Sequence, residues 1–178
     1  MTINLTIFQF IYSLNRFLPT NWHISLFLGG YLIFVLLGFA LGYLLLNNHS
    51  AHNKIKWLAI LLLAIILSNV IIKPLINHFY PVARPFVSLR SVGAYNYLLK
   101  ASERFKSFPS GHTTMAFAIA MVLFLRNKKI GANAFIAAFF VGLGRILLGL
   151  HWPLDILGGI AIGLLSGFLA GKLIAKIK

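Results

Sequence analysis

Three separated stretches of the chain hold residue types suited to handling an anion. They are Lys73 with Arg84, the run Pro109-Ser110-Gly111-His112, and the set Arg145, His151 and Asp155. The Pro-Ser-Gly-His run reads as a helix start, where free backbone N–H groups and the positive dipole end favour an anion. Gly111 lets the backbone approach a ligand closely, and the Ser110 hydroxyl can donate as well. The plainer reading is a capped helix start with Ser110 as the cap. Arg145 and His151 lie six residues apart, on different faces if one helix carried both. Pro153 predicts that the helix stops, leaving His151 in a short turn that folds back towards Arg145. Asp155 then falls in the first turn of the next helix, four residues beyond His151. There its carboxylate can accept one imidazole N–H and leave the other nitrogen as a nucleophile. The plainer reading is an Asp that balances a helix dipole beside an interfacial histidine. Lys73 and Arg84, taken singly, read as a snorkelling lysine and a loop charge.

Composition narrows the chemistry. Cysteine is absent, and Glu103 and Asp155 are the only two carboxylates. Cysteine nucleophiles, disulfides and thiolate metal sites are therefore excluded. Two-metal hydrolysis needs several carboxylate or histidine ligands, more than this chain supplies. An aspartyl-phosphate mechanism would want a second acid nearby. What remains is a histidine nucleophile with a second histidine as proton donor, amid cations that neutralise a phosphoryl group in its transition state. His23, His49, His52 and His78 lack acidic companions and read as interfacial, and Glu103 reads as the partner of a loop cation.

The elements that must position these groups are membrane helices. Hydrophobic residues make up 60% of the 178-residue chain and charged residues 10%. A soluble domain carries about 25% charged residues. The expectation is one all-α domain over residues 1–178, a polytopic helical bundle of about five spans. Spans are predicted from about Ile24 to Leu46, from Trp57 to Phe79 with an interruption at Lys73-Pro74, from Pro109 to Leu125, from Ile130 to Leu150 and from Pro153 to Ile174. Residues 1–18 lack the basic leading region and cleavage site of a signal peptide. Their helical spacing of Ile7, Ile11, Leu14 and Leu18 predicts an interfacial or bundle-packed helix.

Chain alternation then brings Lys73, Arg84, Ser110, Gly111, His112, Arg145, His151 and Asp155 to one end of the bundle. Ionisable groups inside spans cost roughly 2.5–3.5 kcal/mol each on insertion scales, so their convergence is itself a functional signal. Lys54, Lys56, Arg126, Lys128, Lys129, Lys172, Lys176 and Lys178 fall at the other end, in short loops and the tail. That end is predicted to be cytoplasmic, and the long connection from Tyr80 to Phe108 to face outward. The net charge of +14 is accounted for by this topology signal and an anionic substrate. Nucleic-acid binding is not expected, because the basic residues occupy short loops rather than one soluble face.

At these residues the chain resembles the type 2 phosphatidic acid phosphatase superfamily, which includes membrane lipid phosphatases, soluble acid phosphatases and vanadium haloperoxidases. Pro109-Ser110-Gly111-His112 matches its second signature in full. Arg145, His151 and Asp155 fit the spacing of the third, and the resemblance runs from about Ser68 to Leu164. It implies that His151 is the nucleophile forming a phosphohistidine, Asp155 its partner and His112 the acid that protonates the leaving group. It further implies that Lys73, Arg84, Ser110, Gly111 and Arg145 bind phosphate and that no metal or other cofactor is needed. Two departures stand out. Ten residues, not six, separate Lys73 from Arg84, so Arg84 either serves through a longer loop or leaves that contact unmade. Gly144 replaces a Ser that often precedes the third-signature Arg.

Within the superfamily the short chain and outward site look most like bacterial undecaprenyl diphosphate phosphatases, which recycle the carrier lipid of cell-wall synthesis. The resemblance implies a multi-pass bacterial inner-membrane location with the site facing the periplasm or exterior. Phosphatidylglycerophosphate, phosphatidate and lipid A phosphatases share the same residues. An alternative of another class is a non-catalytic protein that binds anionic lipid, which would need the cations but not His112, His151 and Asp155. Vanadate-dependent halide oxidation is a third reading, and the spans favour a lipid substrate over it. The bilayer and a lipid phosphate or diphosphate are the expected partners, with no nucleic acid and no obligate protein partner.

Overall fold

The sequence puts apolar residues all round several helices, and such helices must bury against one another or against lipid. In the computed structural model, which describes residues 3–14, 21–46, 50–89 and 103–175, nine α-helices do so. They are α1 (Ile3–Ser13), α2 (Asn21–Leu26), α3 (Leu32–Leu46), α4 (Ala51–Ile65), α5 (Lys73–Phe79), α6 (Pro85–Ser88), α7 (Gly111–Arg126), α8 (Lys128–Leu147) and α9 (Pro153–Ala175). A π-helical stretch, Phe27–Tyr31, joins α2 to α3, and a second, Ile66–Ile72, joins α4 to α5. Among the described residues the remaining regular pairing is one isolated parallel bridge between Val82 and Lys106. Leu18, His49, Lys176 and Lys178 lie outside the described residues.

Four helices are long and apolar enough to cross a membrane: His23–Leu46, Ala51–Phe79, Lys128–Leu147 and Pro153–Ile174. The chain is thus an integral membrane helical bundle. The fifth expected span, α7, is shorter. Its 16 residues rise about 24 Å, against a hydrocarbon layer of about 30 Å. It is the hub of the bundle, with Thr113, Thr114, Ala116–Ala120, Val122 and Leu123 all buried. Glycines at 159, 163 and 167 bring α9 onto it. A Cβ at Gly159 would lie 3.0 Å from the Ser110 carbonyl, and one at Gly167 2.9 Å from that of Ala118. Such small residues let helix backbones meet in a membrane, where packing rather than water drives association.

One expectation is corrected. Lys73-Pro74 does not interrupt the second span, which runs continuously from Ala51 to Phe79. The π stretch is the reason. The Lys73 N–H bonds the Ser68 carbonyl five residues back, and this wider turn takes up the place where a proline would break an α-helix.

The two ends of the bundle are chemically distinct. Arg126 stacks over Trp57 at 5.5 Å, and a Cβ at Gly171 would meet the Leu125 side chain at 2.6 Å. The starts of α4 and α8 and the close of α9 therefore share one end. Lys73, Gly111, Arg145 and the turn between α8 and α9 lie at the other. At that end α1 packs one face on the bundle through Phe8, fully buried against Ile146 and Ile156, while Ile3 and Phe10 stay exposed. The expected interfacial or bundle-packed helix is present over Ile3–Ser13.

Candidate active site

Helix α8 ends one turn before the residue it must present. Leu148 N and Gly149 N close the helix on Gly144 and Ile146, Gly149 takes a positive φ of 69°, and Leu150 N returns to the Arg145 carbonyl. That left-handed step costs glycine little and folds the chain back on itself. His151 thereby enters the bundle with 2% of its surface exposed, beside Asp155 at 2% and Arg145 at 7%.

His151 Nδ1 lies 3.4 Å from Asp155 Oδ2, an ion-pair distance longer than a fully formed hydrogen bond. Its Nε2 lies 3.0 Å from Arg84 Nη1. A guanidinium can only donate, so Nε2 is the accepting nitrogen and the proton sits on Nδ1, facing the carboxylate. Burial, followed by the charges of Arg84 and Arg145, pushes the His151 imidazole well below its ordinary pKa. The ring is therefore neutral, with its lone pair directed at a cation.

The structure brings Arg84 to the site across the longer loop. Arg84 N–H donates to the Arg104 carbonyl and Ser107 N–H to that of Val82, around the Val82–Lys106 bridge. The guanidinium then donates to three carbonyls, Glu103 at 2.8 Å, Leu150 at 3.0 Å and Lys106 at 3.2 Å. Trp152 Nε1 ties the turn to the same segment by donating to the Ala83 carbonyl, and its ring packs on Phe8 at 5.0 Å.

The Pro-Ser-Gly-His run starts α7, as expected. The capping reading of Ser110 does not hold, because its side chain makes no cap bond. It is fully buried, its Oγ accepts from Thr113 Oγ1 at 3.0 Å, and its N–H donates to the Asp155 carbonyl at 3.1 Å. Gly111 makes room for Lys73, since a Cβ there would lie 3.1 Å from Lys73 Nζ. Lys73 and His112 share a cavity of about 290 Å³ with Ile33, Phe34, Ile65, Asn69, Gly111 and Met115. His112 is also within electrostatic reach of Arg145, His151 and Arg84. All eight candidate residues thus gather at one end of the bundle. His23, His52 and His78 are exposed; His78 shares a second, polar cavity with Lys73, and Glu103 pairs with Lys106, as read.

Two contributors had not been singled out. Ser107 is fully buried and donates from Oγ to Asp155 Oδ2 at 2.5 Å, an oxygen that also accepts from Trp152 N–H at 2.8 Å. Its signal was a serine two positions ahead of Pro109 in a chain short of polar residues. Gly29, in the first π stretch, offers its carbonyl to Arg145 Nη1 at 2.9 Å. A backbone acceptor leaves no mark in a sequence. Arg145 Nε, also buried, has no partner among the described residues.

A buried imidazole, a nearby carboxylate, a second histidine and three cations thus meet beside an apolar cavity at one end of a membrane bundle, an arrangement suited to phosphoryl chemistry. A profile of the PAP2 superfamily matches residues 57–177, and the chain belongs to that family as a membrane lipid phosphatase. It is 30% identical to undecaprenyl-diphosphatase BcrC of Bacillus subtilis over 94% of this chain and 82% of that protein. The crystal structure of Aquifex aeolicus LpxE superposes with a TM-score of 0.71 at 32% identity, covering 97% of this chain and 96% of that one. A transmembrane PAP2-type phosphatidylglycerolphosphate phosphatase from Bacillus subtilis shares the fold, with a TM-score of 0.61 at 22% identity over 100% of this chain and 89% of the other.

Proposed function

We propose that this phosphatase hydrolyses undecaprenyl diphosphate to undecaprenyl phosphate, with His151 as nucleophile and the site on the outer face of a bacterial cytoplasmic membrane. The observation that carries the chemistry is the pairing of His151 Nε2 with Arg84 on one side of the ring and Asp155 on the other. Similarity to BcrC over nearly the whole chain supports the diphosphate. The apolar lining of the His112 cavity by Ile33, Phe34, Ile65 and Met115 suits a hydrocarbon tail next to the phosphate.

In this reading Lys73, Arg84, Arg145, Ser110 and the Gly111 N–H hold the terminal phosphate, and the free Arg145 Nε supplies a further donor. The incoming anion draws Arg84 off Nε2 and frees the lone pair. Nε2 bonds to phosphorus as the bridging P–O bond breaks, and His112 protonates the departing lipid phosphate. Water, deprotonated by His112, then cleaves the N–P bond, releasing inorganic phosphate and regenerating the neutral ring. Asp155, 3.4 Å from Nδ1 in the free site, closes on the Nδ1 proton and stabilises the charge that develops on the ring.

The test is phosphate release by purified protein from undecaprenyl diphosphate, phosphatidylglycerophosphate, phosphatidate and lipid A, with EDTA present. The highest kcat/KM is expected on the undecaprenyl diphosphate. Preference for a monophosphate would overturn the substrate assignment, and no release from any lipid would favour an anionic-lipid-binding protein.

A further inference from the structure

Lys73 borders two cavities. One is the apolar cavity with His112, and the other is polar, about 520 Å³, lined by Lys73, Pro74, Asn77, His78, Glu103 and Lys106. Glu103 is one of two carboxylates in a chain with 16 Lys and Arg residues. The other, Asp155, is enclosed and bonded to Ser107 and Trp152. Glu103 instead stands where water meets the phosphate-site cations, its side chain 32% exposed. Its Oε1 accepts from Lys106 Nζ at 3.0 Å, and its Oε2 lies 4.0 Å from Arg84 Nη2.

Partial burial alone would raise the Glu103 pKa. The hydrogen bond from Lys106 and the charges of Lys106, Lys73 and Arg84 outweigh it and hold the carboxyl below its ordinary value. An ionised carboxylate thus faces the groups that a phosphate would engage. Its part in holding the fold runs through a different atom, because Arg84 Nε bonds the Glu103 main-chain carbonyl.

We propose that Glu103 is a resident rival anion of the phosphate site, neutralising Lys73, Arg84 and Lys106 between turnovers and weakening the hold on inorganic phosphate so that product leaves through the polar cavity. This rests on the assignment of Lys73 and Arg84 to phosphate binding. A site with these cations and no nearby carboxylate would bind the product anion tightly, and binding that serves ground state and product alike does not raise turnover. A competing carboxylate next to the cations, but away from the nucleophile, lowers that unproductive affinity.

The experiment measures equilibrium binding of inorganic phosphate and of orthovanadate to the full-length protein in detergent, without lipid, for wild type, Glu103→Gln and Glu103→Asp. Glu103→Gln removes the charge and keeps both the side-chain shape and the main-chain carbonyl. Both anions are expected to bind it roughly threefold more tightly or better, the scale of a partly exposed ion pair. Glu103→Asp, which keeps the charge, should stay near wild type. In turnover, added phosphate should inhibit Glu103→Gln at lower concentration than wild type. Unchanged or weaker anion binding by a folded Glu103→Gln overturns the proposal, as does equal tightening in Glu103→Asp. If Glu103→Gln does not fold, Glu103→Ala is held to the same criterion. Since no lipid enters the binding measurement, a wrong lipid assignment leaves its outcome intact, whereas failure of wild type to bind either anion overturns the phosphate site itself.

Discussion

Arg84 Nη1 donates to the Leu150 carbonyl and to His151 Nε2, both at 3.0 Å. One guanidinium thus fixes the turn that carries the imidazole and covers the lone pair that would attack phosphorus. In the proposed mechanism this cover is released on substrate binding, because a phosphate dianion attracts the guanidinium more strongly than a neutral ring does.

Replacing Arg84 by Lys keeps the charge and loses the geometry. A lysine cannot span the carbonyls of Glu103, Leu150 and Lys106 while also facing His151. Arg84→Lys is expected to lower kcat/KM by about 100-fold, the scale of losing one preorganised donor to a developing anion. Steady-state kinetics on a fixed lipid substrate would check it, and a loss under threefold would contradict the role.

Ser107 acts through Asp155. Its hydroxyl and the Trp152 N–H both donate to Oδ2, the oxygen nearest His151 Nδ1. Ser107→Ala leaves that oxygen short of one donor and free to turn from the ring. A hydrogen bond to a charged group contributes about 1.5–3 kcal/mol, so kcat should fall roughly tenfold or more with KM little changed. An equal rise in KM would point instead to disturbance of the binding cations.

Gly29 and Gly38 offer a matched pair. A Cβ at 29 would lie 2.7 Å from the Gly144 carbonyl carbon and oxygen, whereas one at 38 meets nothing within 4 Å. Gly29→Ala must part the π stretch from α8 and move the carbonyl that holds Arg145. Gly38→Ala should leave melting temperature and phosphate release near wild type, while Gly29→Ala lowers both. Equal behaviour of the two variants would show that the close approach is not required.

What could be read from the sequence was what lies close along it. The Pro-Ser-Gly-His start of α7 and the turn from Arg145 to Asp155 are local geometry, governed by Pro153 and helix spacing, and both are found as expected. Arg84 was ambiguous because its partners are main-chain carbonyls reached through the Val82–Lys106 bridge, and no spacing encodes such pairing. Pro74 suggested an interruption because its ring breaks an α-turn, whereas the π stretch ahead of it accommodates the ring. The Gly29 carbonyl was invisible for a third reason, since every residue has one and only packing selects which is used.

The His151 ring should stay neutral where ordinary histidines charge. Burial and the neighbouring Arg84 and Arg145 depress its folded pKa, so at a pH below about 6.5 the unfolded chain takes up a proton that the folded ring refuses. The sign follows: this group costs nothing above that range and removes stability as the pH falls through it. Nitrogen-15 spectra of histidine-labelled protein, with His151→Gln for assignment, should show the Nδ1–H tautomer persisting at pH 6. An imidazolium there would contradict the buried, cation-flanked ring.

The last prediction concerns sidedness. The stacking of Arg126 on Trp57 and the approach of α9 to Leu125 gather the basic short loops at the end of the bundle away from His151. Lys and Arg in short loops are retained in the cytoplasm, and long connections weigh less in orientation. The site end is also basic, but the proposed mechanism gives Lys73, Arg84 and Arg145 a use there as phosphate ligands. A diphosphate carrier is released on the outer face, so an outward site fits its recycling. The chain is free of cysteine, and Ser88, near the site, and His52, at the opposite end, are both exposed. Single Ser88→Cys and His52→Cys variants in intact cells, treated with a membrane-impermeant maleimide, should be labelled at 88 and spared at 52. The reverse pattern would place His151 at the cytoplasmic leaflet, and the carrier-lipid assignment would give way to a phospholipid phosphate made on that side.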